Sequence, residues 1–279
     1  MQNAGIAELG LDWRYLAADV VPSRLREAVQ GAAAMKFVGV NLTVPHKLLA
    51  MEFVDELDET ARTWGAVNTI RFEGRNGDGW RPLADLPIDY EGEVRTHGFN
   101  TDADAIIRSL REDLGREPRG ARVVLLGAGG AGRVAALRLA AEGVAELFLV
   151  NRTAEKAAAV AGEIAGRFPS VTCHVGYPED GRADILLNAT SLGLRVGDGS
   201  PLDEDAFPVG GAGHVYDMIY RPAETELLRR AREAGARTAN GLGMLLYQGV
   251  KALEIWSNRS APVESMRAAL QANVYGPTA

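Results

Sequence analysis

Residues 121–133 read ARVVLLGAGGAGR, and the reading of this stretch decides the fold. ARVVLLG is a continuous apolar run, as expected of a strand buried on both faces of a parallel sheet. The turn after it holds Gly127, Gly129 and Gly132 in G-x-G-x-x-G spacing, with Ala128, Gly130 and Ala131 between them, and it opens a helix. A strand before and a helix after form the context in which this spacing binds a dinucleotide. The glycines let the backbone approach a pyrophosphate, and the helix N-terminus offers it free N–H groups. Glycine-rich turns also serve tight packing alone, so the flanking elements carry the argument.

Downstream the alternation is regular. ELFLVNR (146–152) reads as a strand, TAEKAAAVAGEIAGRF (153–168) as a helix and VTCHVG (171–176) as a short strand. ADILLNAT (183–190) and HVYDMIY (214–220) are two more strands, AETELLRRAREAG (223–235) is a helix, and ARTANG (236–241) is a last short strand. GMLLYQGVKALEIWSN (243–258) and APVESMRAALQANV (261–274) are closing helices. This order predicts a doubly wound, Rossmann-type domain.

Upstream, helix and strand alternate less strictly, the pattern of an α/β layer. Residues 22–34 read as a helix, with Ser23 as a cap and Leu25, Ala28, Val29 and Ala32 on one face. FVGVNLTV (37–44) is a strand. From Pro45 to Trp64, Leu48, Leu49, Phe53, Leu57 and Ala61 recur at helical spacing, and Pro45 suits a first turn. AVNTIRFEG (66–74) is a strand, and residues 75–97, rich in Gly, Asp and Pro, read as a long loop or loose hairpin.

At 279 residues the chain has room for two domains. Its 47% hydrophobic and 24% charged residues match soluble globular composition. A net charge of −7 argues against nucleic-acid binding but leaves room for a locally positive cleft that takes a small anion. Cys173 stands alone, which excludes a disulfide within the chain and a cysteine-built zinc site. His46, His97, His174 and His214 show no metal-ligand spacing, so no metal is expected. The first residues lack a signal-peptide pattern, and no apolar run approaches the roughly 20 residues of a membrane span. A cytoplasmic protein without a membrane partner is expected.

The end of the second parallel strand selects the dinucleotide. NAD sites usually place an acidic residue there for the ribose 2′-hydroxyl. Here the stretch is Asn151-Arg152-Thr153, with Lys156 one turn later. Arg152 can hold a 2′-phosphate with paired donors and Thr153 can add a hydroxyl, which favours NADP. A capped helix with a solvated arginine is the plainer reading, and the two are compatible. A nicotinamide domain implies hydride transfer, and a proton must then move at the substrate oxygen. Lys47 in NLTVPHK (41–47) and Asp102 in GFNTD (98–102) are the candidates. On spacing alone, a lysine in the place of Lys47 is more often a solvated one at a helix start, and an aspartate in the place of Asp102 more often a helix cap.

Together, NLTVPHK, GAVNTI, GFNTD, GAGGAGR, NRT, NATSLG, YDMIYRPAET and GLGMLLYQG resemble, in order and spacing, the shikimate dehydrogenases. These are NADP-linked enzymes that reversibly reduce 3-dehydroshikimate to shikimate in aromatic biosynthesis. The resemblance implies a substrate domain over 1–101, with 243–279 packing back on it, and an NADP domain over 102–242. It implies Lys47 and Asp102 as the catalytic pair, with Lys47 directed into a cleft between the domains. Thr43, Asn68, Tyr220 and Gln248 would bind a small anionic polyol. Gly127, Ala128, Gly129, Gly130, Ala131, Asn151, Arg152, Thr153 and Lys156 would hold the cofactor's phosphates and adenosine. Thr190, Met218, Gly241 and Met244 would lie on its nicotinamide side, and Glu59 would approach it from the first domain. A monomer or homodimer is expected.

Two departures accompany the resemblance. Ala105 stands where the family usually has a glycine after the aspartate, so the following helix is expected to shift slightly at its start. The family also begins with a strand and a Gly-x-Pro…Ser-x-Ser-Pro segment whose serines hold the substrate carboxylate. Met1-Gln2-Asn3 aligns just beyond it, so such a segment is expected upstream, and without it the neighbouring strands would lack partners. The alternatives are a quinate- or shikimate-type dehydrogenase using NAD or another ring acid, and a truncated NADP-binding paralogue without activity.

Overall fold

The computed structural model describes residues 1–77, 79–195 and 197–276. The chain divides into two compact units: Met1–Asp102 with Leu246–Asn273, and Ala103–Leu245 with the end of the chain from Val274.

In the first unit, helices α1 (Gln2–Glu8) and α2 (Leu25–Ala34) precede strand β1 (Gly39–Asn41), and the short helix α3 (His46–Leu49) follows. Then come β2 (Glu56–Leu57), α4 (Glu59–Trp64), β3 (Thr69–Asn76), β4 (Gly79–Pro82) and β5 (Val94–Phe99). Among the described residues these five strands form one mixed sheet in the order β1-β3-β5-β2, with β4 paired to β3. β3 runs antiparallel to β1, β4 and β5, while β2 is parallel to β5. Period-2 alternation along β3 turns Ile70 and Phe72 onto Leu25, Val29 and Ala32 of α2, all buried. Burying a side chain the size of Phe72 stabilises by about 1.5–3 kcal/mol.

Several local expectations are corrected here. The single helix expected over 45–64 is broken by β2, because residues 56–57 pair with His97 and Gly98 of β5. Pairing with a neighbouring strand overrides the helical spacing of Leu57. Ser23 is no helix cap; it lies inside a 3₁₀ turn, Pro22–Arg24, that leads into α2. Residues 75–97 complete the β3–β4 hairpin, in keeping with the hairpin reading, but also hold the start of β5, a strand whose polar sequence VRTHGF hid it.

The second face of that sheet carries a charged cluster. Glu73 is 2% exposed and is held by Arg71, by Arg95 Nε at 2.8 Å and by His97 Nδ1 at 3.0 Å. Burial by itself would raise its pKa, but contacts with His97, Arg71 and Arg95 outweigh that and hold it at about 2.

The second unit is built from α5 (Asp102–Glu112), β6 (Arg122–Leu126), α6 (Gly130–Glu142), β7 (Glu146–Val150), α7 (Ala154–Arg167), β8 (Thr172–Val175) and β9 (Ala183–Asn188). It continues with β10 (Ala212–Asp217), α8 (Glu226–Glu233) and β11 (Arg237–Asn240). Helix α9 (Leu242–Ser257) starts in this unit and ends in the first, and α10 (Val263–Tyr275) closes the helical part of the chain. The sheet order is β11-β10-β9-β6-β7-β8, and each neighbouring pair is parallel. Strands after β6 add on one side and strands from β9 onward on the other, so the winding reverses between β6 and β9. The doubly wound sheet is as expected. Thr153 starts α7 without a side-chain cap bond, so the plainer reading of a capped helix does not describe this turn. Ala105 is buried in α5, which begins at Asp102. Among the described residues no helix is long and apolar enough to cross a membrane.

The Glu73 cluster makes stability depend on acid. A carboxyl depressed when folded contributes stability that is present above its unfolded pKa of roughly 4.3 and is lost as pH falls toward about 2. Glu73→Gln is expected to lower stability by about 2–3 kcal/mol at pH 7 and to flatten its fall below pH 5. Urea titrations from pH 7 to pH 2 check both.

Candidate functional site

In the first unit the site grows from the end of β1. The chain leaves the strand at Asn41, turns at Thr43–His46 and enters α3, where Lys47 lies in the first turn. The Val67 amide donates to the Lys47 carbonyl at 2.9 Å, which sets this turn beside the start of β3. Lys47 Nζ reaches Asp102 Oδ2 at 2.6 Å, with side-chain exposures of 27% and 14%. The pair is therefore shielded but open on one side.

Asp102 is fixed by its neighbours. Asn68 Nδ2 donates to its Oδ1 at 2.8 Å, and Asn100 Oδ1 accepts from its amide at 3.1 Å. Asn68 is 1% exposed and also accepts from the Thr101 amide at 2.9 Å, so its amide group is held from both sides. Behind it, Asn41 Nδ2 donates to Thr69 Oγ1 at 2.9 Å, and the Tyr15 hydroxyl donates to Asn41 Oδ1 at 3.0 Å. Neither a solvated lysine nor a simple helix cap describes this arrangement. Lys47, Asp102 and Asn68 are brought together as one hydrogen-bonded group. Thr43 is exposed on the turn before Lys47, Gln248 is half-buried on α9, and Glu59 is exposed at the start of α4.

The second unit places its candidates at the carboxyl ends of the parallel strands. Gly127 follows β6 with φ +100°, a left-sided conformation that a side chain disfavours. A Cβ on Gly132 would overlap the Gly127 carbonyl oxygen, so the turn closes only with glycine there. Gly129, Gly130 and Ala131 are exposed at the N-terminus of the thirteen-residue α6. Asn151 Oδ1 accepts from the Ala128 amide at 2.9 Å, and its Nδ2 donates to the Thr153 carbonyl at 2.8 Å. One side chain thus ties the glycine turn to the Asn151–Thr153 turn. Arg152, Thr153 and Lys156 stand exposed there. Thr190 follows β9, Met218 and Tyr220 follow β10, and Gly241 and Met244 follow β11. Ligands of such sheets bind outside the carboxyl ends of the strands where the winding reverses, here between β6 and β9. Open amides, a turn that closes only with glycine at 132 and adjacent exposed cations fit a phosphate-bearing dinucleotide.

Residues 1–70 match the family model described as the shikimate dehydrogenase substrate binding domain. Residues 110–192 match shikimate / quinate 5-dehydrogenase, and residues 241–271 match the shikimate 5′-dehydrogenase C-terminal domain. The shikimate dehydrogenase (NADP(+)) of Methanopyrus kandleri is 40% identical over 276 residues, covering 97% of this chain and 89% of that protein. The chain belongs to the shikimate dehydrogenase family. A crystal structure of shikimate dehydrogenase in complex with NADP+ shares the fold with a TM-score of 0.82 and 34% identity, over 98% of this chain and 89% of that one. The ligand-free 5-ketofructose reductase of Gluconobacter sp. strain CHM43 gives a TM-score of 0.79 at 35% identity, over 98% and 92%.

Sequence reasoning about this family member missed the residues behind the site. Asn41, Thr69, Thr101, Asn188 and Asp217 are polar groups at strand ends that touch other protein groups. The available signal was an apolar strand ending on one Asn or Asp, as in ILLN and VYD.

Gly132→Ala tests the turn without reference to any reaction. Its methyl must displace the Gly127 carbonyl, so a loss of about 1–3 kcal/mol is expected, together with loss of the thermal shift that NADPH gives the parent protein. Differential scanning fluorimetry with and without NADPH measures both.

Proposed function

We propose that this protein catalyses the NADP-dependent, reversible reduction of 3-dehydroshikimate to shikimate. The observation that carries the reading is the shielded Lys47–Asp102 pair, in a family member whose second unit has a dinucleotide turn bordered by Arg152 and Lys156. The first unit is read as the substrate domain and the second as the NADP domain. The protein is read as a cytoplasmic enzyme, monomeric or homodimeric, acting on a small anionic polyol.

The residues divide the work by their chemistry. Gly127–Ala131 and Asn151 would hold the pyrophosphate and adenosine side of NADP, and Arg152, Thr153 and Lys156 would hold its 2′-phosphate. Thr190, Met218, Gly241 and Met244 would border the nicotinamide, and Glu59 would approach the cofactor from the first unit. When bound, NADPH supplies the hydride. Negative charge then builds on the substrate oxygen, and the Lys47 ammonium stabilises it and delivers the proton that completes the hydroxyl. Asp102 holds that ammonium in place, and Asn68 holds Asp102 in turn. Thr43, Tyr220 and Gln248, which can donate and accept, would suit a ring with several hydroxyls, while Asn68, buried with its amide hydrogens on Thr101 and Asp102, would act on the substrate through Asp102.

Steady-state rates with shikimate and quinate, each with NADP+ and NAD+, test the reading. Shikimate with NADP+ should give the highest kcat/KM. A preference for quinate or for NAD+ would favour the shikimate / quinate alternative, and NADPH binding without turnover of any pair would favour an inactive paralogue.

Two variants test the residue roles. Lys47→Ala is expected to lower kcat roughly 10²–10⁴-fold with a much smaller change in KM. Arg152→Ala should weaken NADP binding by about 1.5–3 kcal/mol, the range for a charge-assisted contact, and leave NAD binding nearly unchanged. Equal weakening of both cofactors would make Arg152 structural.

A further inference from the structure

At the carboxyl ends of β9 and β10 lie two polar side chains with no part in the chemistry above. Asn188 and Asp217 are each 0% exposed. An acid this deep in a parallel sheet carries a desolvation cost, and burial pushes the Asp217 carboxyl up despite its hydrogen bonds. A leucine or valine would fill the same place without that cost. The contacts show what the acid is for.

Asp217 Oδ1 accepts from Asn188 Nδ2 at 2.9 Å and from the Ile219 amide at 3.0 Å. Its Oδ2 accepts from the Thr225 hydroxyl at 2.7 Å. Asn188 Oδ1 accepts from the Thr190 amide at 2.9 Å and the Thr190 hydroxyl at 2.8 Å. The Met218 amide donates to the Asn188 carbonyl at 2.9 Å, and the Gly241 amide to the Ile219 carbonyl at 3.1 Å. Two adjacent strand ends and the loops leaving them are thereby locked to one another. These are the loops that carry Thr190 and Met218, and the Gly241 turn is tied to the second of them.

We infer that Asp217 is a positioning residue, whose carboxylate, through Asn188, fixes the Thr190 and Met218 loops in the one arrangement that holds the nicotinamide for transfer. The inference rests on the cofactor reading above. An acceptor-only group suits this place, because all three groups around it are donors. An asparagine in its stead presents an NH₂ to one of them, and the loops lose a fixed point while the strands keep their backbone pairing. A displacement of about 1 Å at such a site can cost roughly 10²-fold in rate.

The experiment compares Asp217→Asn with the parent enzyme by hydrogen exchange in the cofactor-free protein and by steady-state kinetics. Amide exchange in 189–193 and 218–223 should quicken at least tenfold while exchange in β6 and β7 stays unchanged. kcat should fall 10–100-fold, with the KM for NADP+ and the affinity for NADPH changing less than threefold. Thr225→Val, which removes one donor from outside the cofactor loops, should shift exchange and kcat the same way to a smaller extent, and Thr225→Ser should restore both. Unchanged exchange in both segments, or a kcat within twofold of the parent for folded Asp217→Asn, overturns the inference. So does a uniform rise in exchange across the sheet, which would make Asp217 a stabilising residue only. Should the parent neither bind NADPH nor turn over, the cofactor reading fails instead, and the exchange pattern still decides whether Asp217 locks the loops.

Discussion

The contact around which the polar groups of the first unit are arranged is the 2.6 Å ion pair of Lys47 with Asp102. A surface ion pair is worth little, because water and salt screen it and both side chains give up rotamers. Partial burial changes that balance, but only where the remaining lone pairs of the carboxylate are satisfied. Asn68 supplies the missing donor, and Asn68 is itself fixed by Thr101. The ordering entropy of Lys47 and Asp102 is therefore met during folding, by groups buried in the sheet. A side chain already in place loses little on meeting a substrate, which is the physical content of preorganisation.

The second unit reaches a comparable result by topology. All of its strands are parallel, so every loop that leaves a strand end emerges at one edge of the sheet. The turns after β6, β7, β9, β10 and β11 hold Gly127, Arg152, Thr190, Met218 and Gly241. Gly127 and Thr190, 63 positions apart in the sequence, become neighbours because the strands that lead to them run the same way side by side. The edge is electrostatically suited to anions as well, since α6 and α7 start there and their first amides have no helical partner.

How far all this was legible differed between the two units. Buried parallel strands announce themselves as uninterrupted apolar runs, so β6, β7, β9 and β10 were readable directly, and the glycine turn marked its own place. The first unit was harder. β5 has the sequence VRTHGF, in which Arg95 and His97 face a charged cluster and no apolar core, so its alternation carried no hydrophobic signal. β2 is two residues long and follows from pairing with β5, a contact that local spacing cannot express. Lys47 and Asp102 were nameable because their motifs stand out. The network behind them was not, since a buried threonine or asparagine in a sequence looks like any exposed one.

That network has a common chemical logic, carried by asparagine. Asn41 accepts from Tyr15 and donates to Thr69; Asn68 accepts from Thr101 and donates to Asp102. Asn100 accepts from the Asp102 amide and donates to the Ala66 carbonyl. Asn151 and Asn188 do the same between Ala128 and Thr153, and between Thr190 and Asp217. Asn240 accepts from the Leu242 amide and donates to the Ala223 carbonyl. Each of these residues stands at the end of a strand or directly beside one, where the ladder stops and backbone groups lack partners. A side chain with one acceptor and one donor can meet a free N–H on one segment and a free oxygen on another, and so hold two loops at a fixed distance without adding charge. Aspartate in the same places would leave the carbonyl side facing a second acceptor, and leucine would leave both segments unpaired. Asp217 is the informative exception, because every group around it is a donor. At Asp217, as at Asp102, the carboxyl group stands where its oxygens only accept.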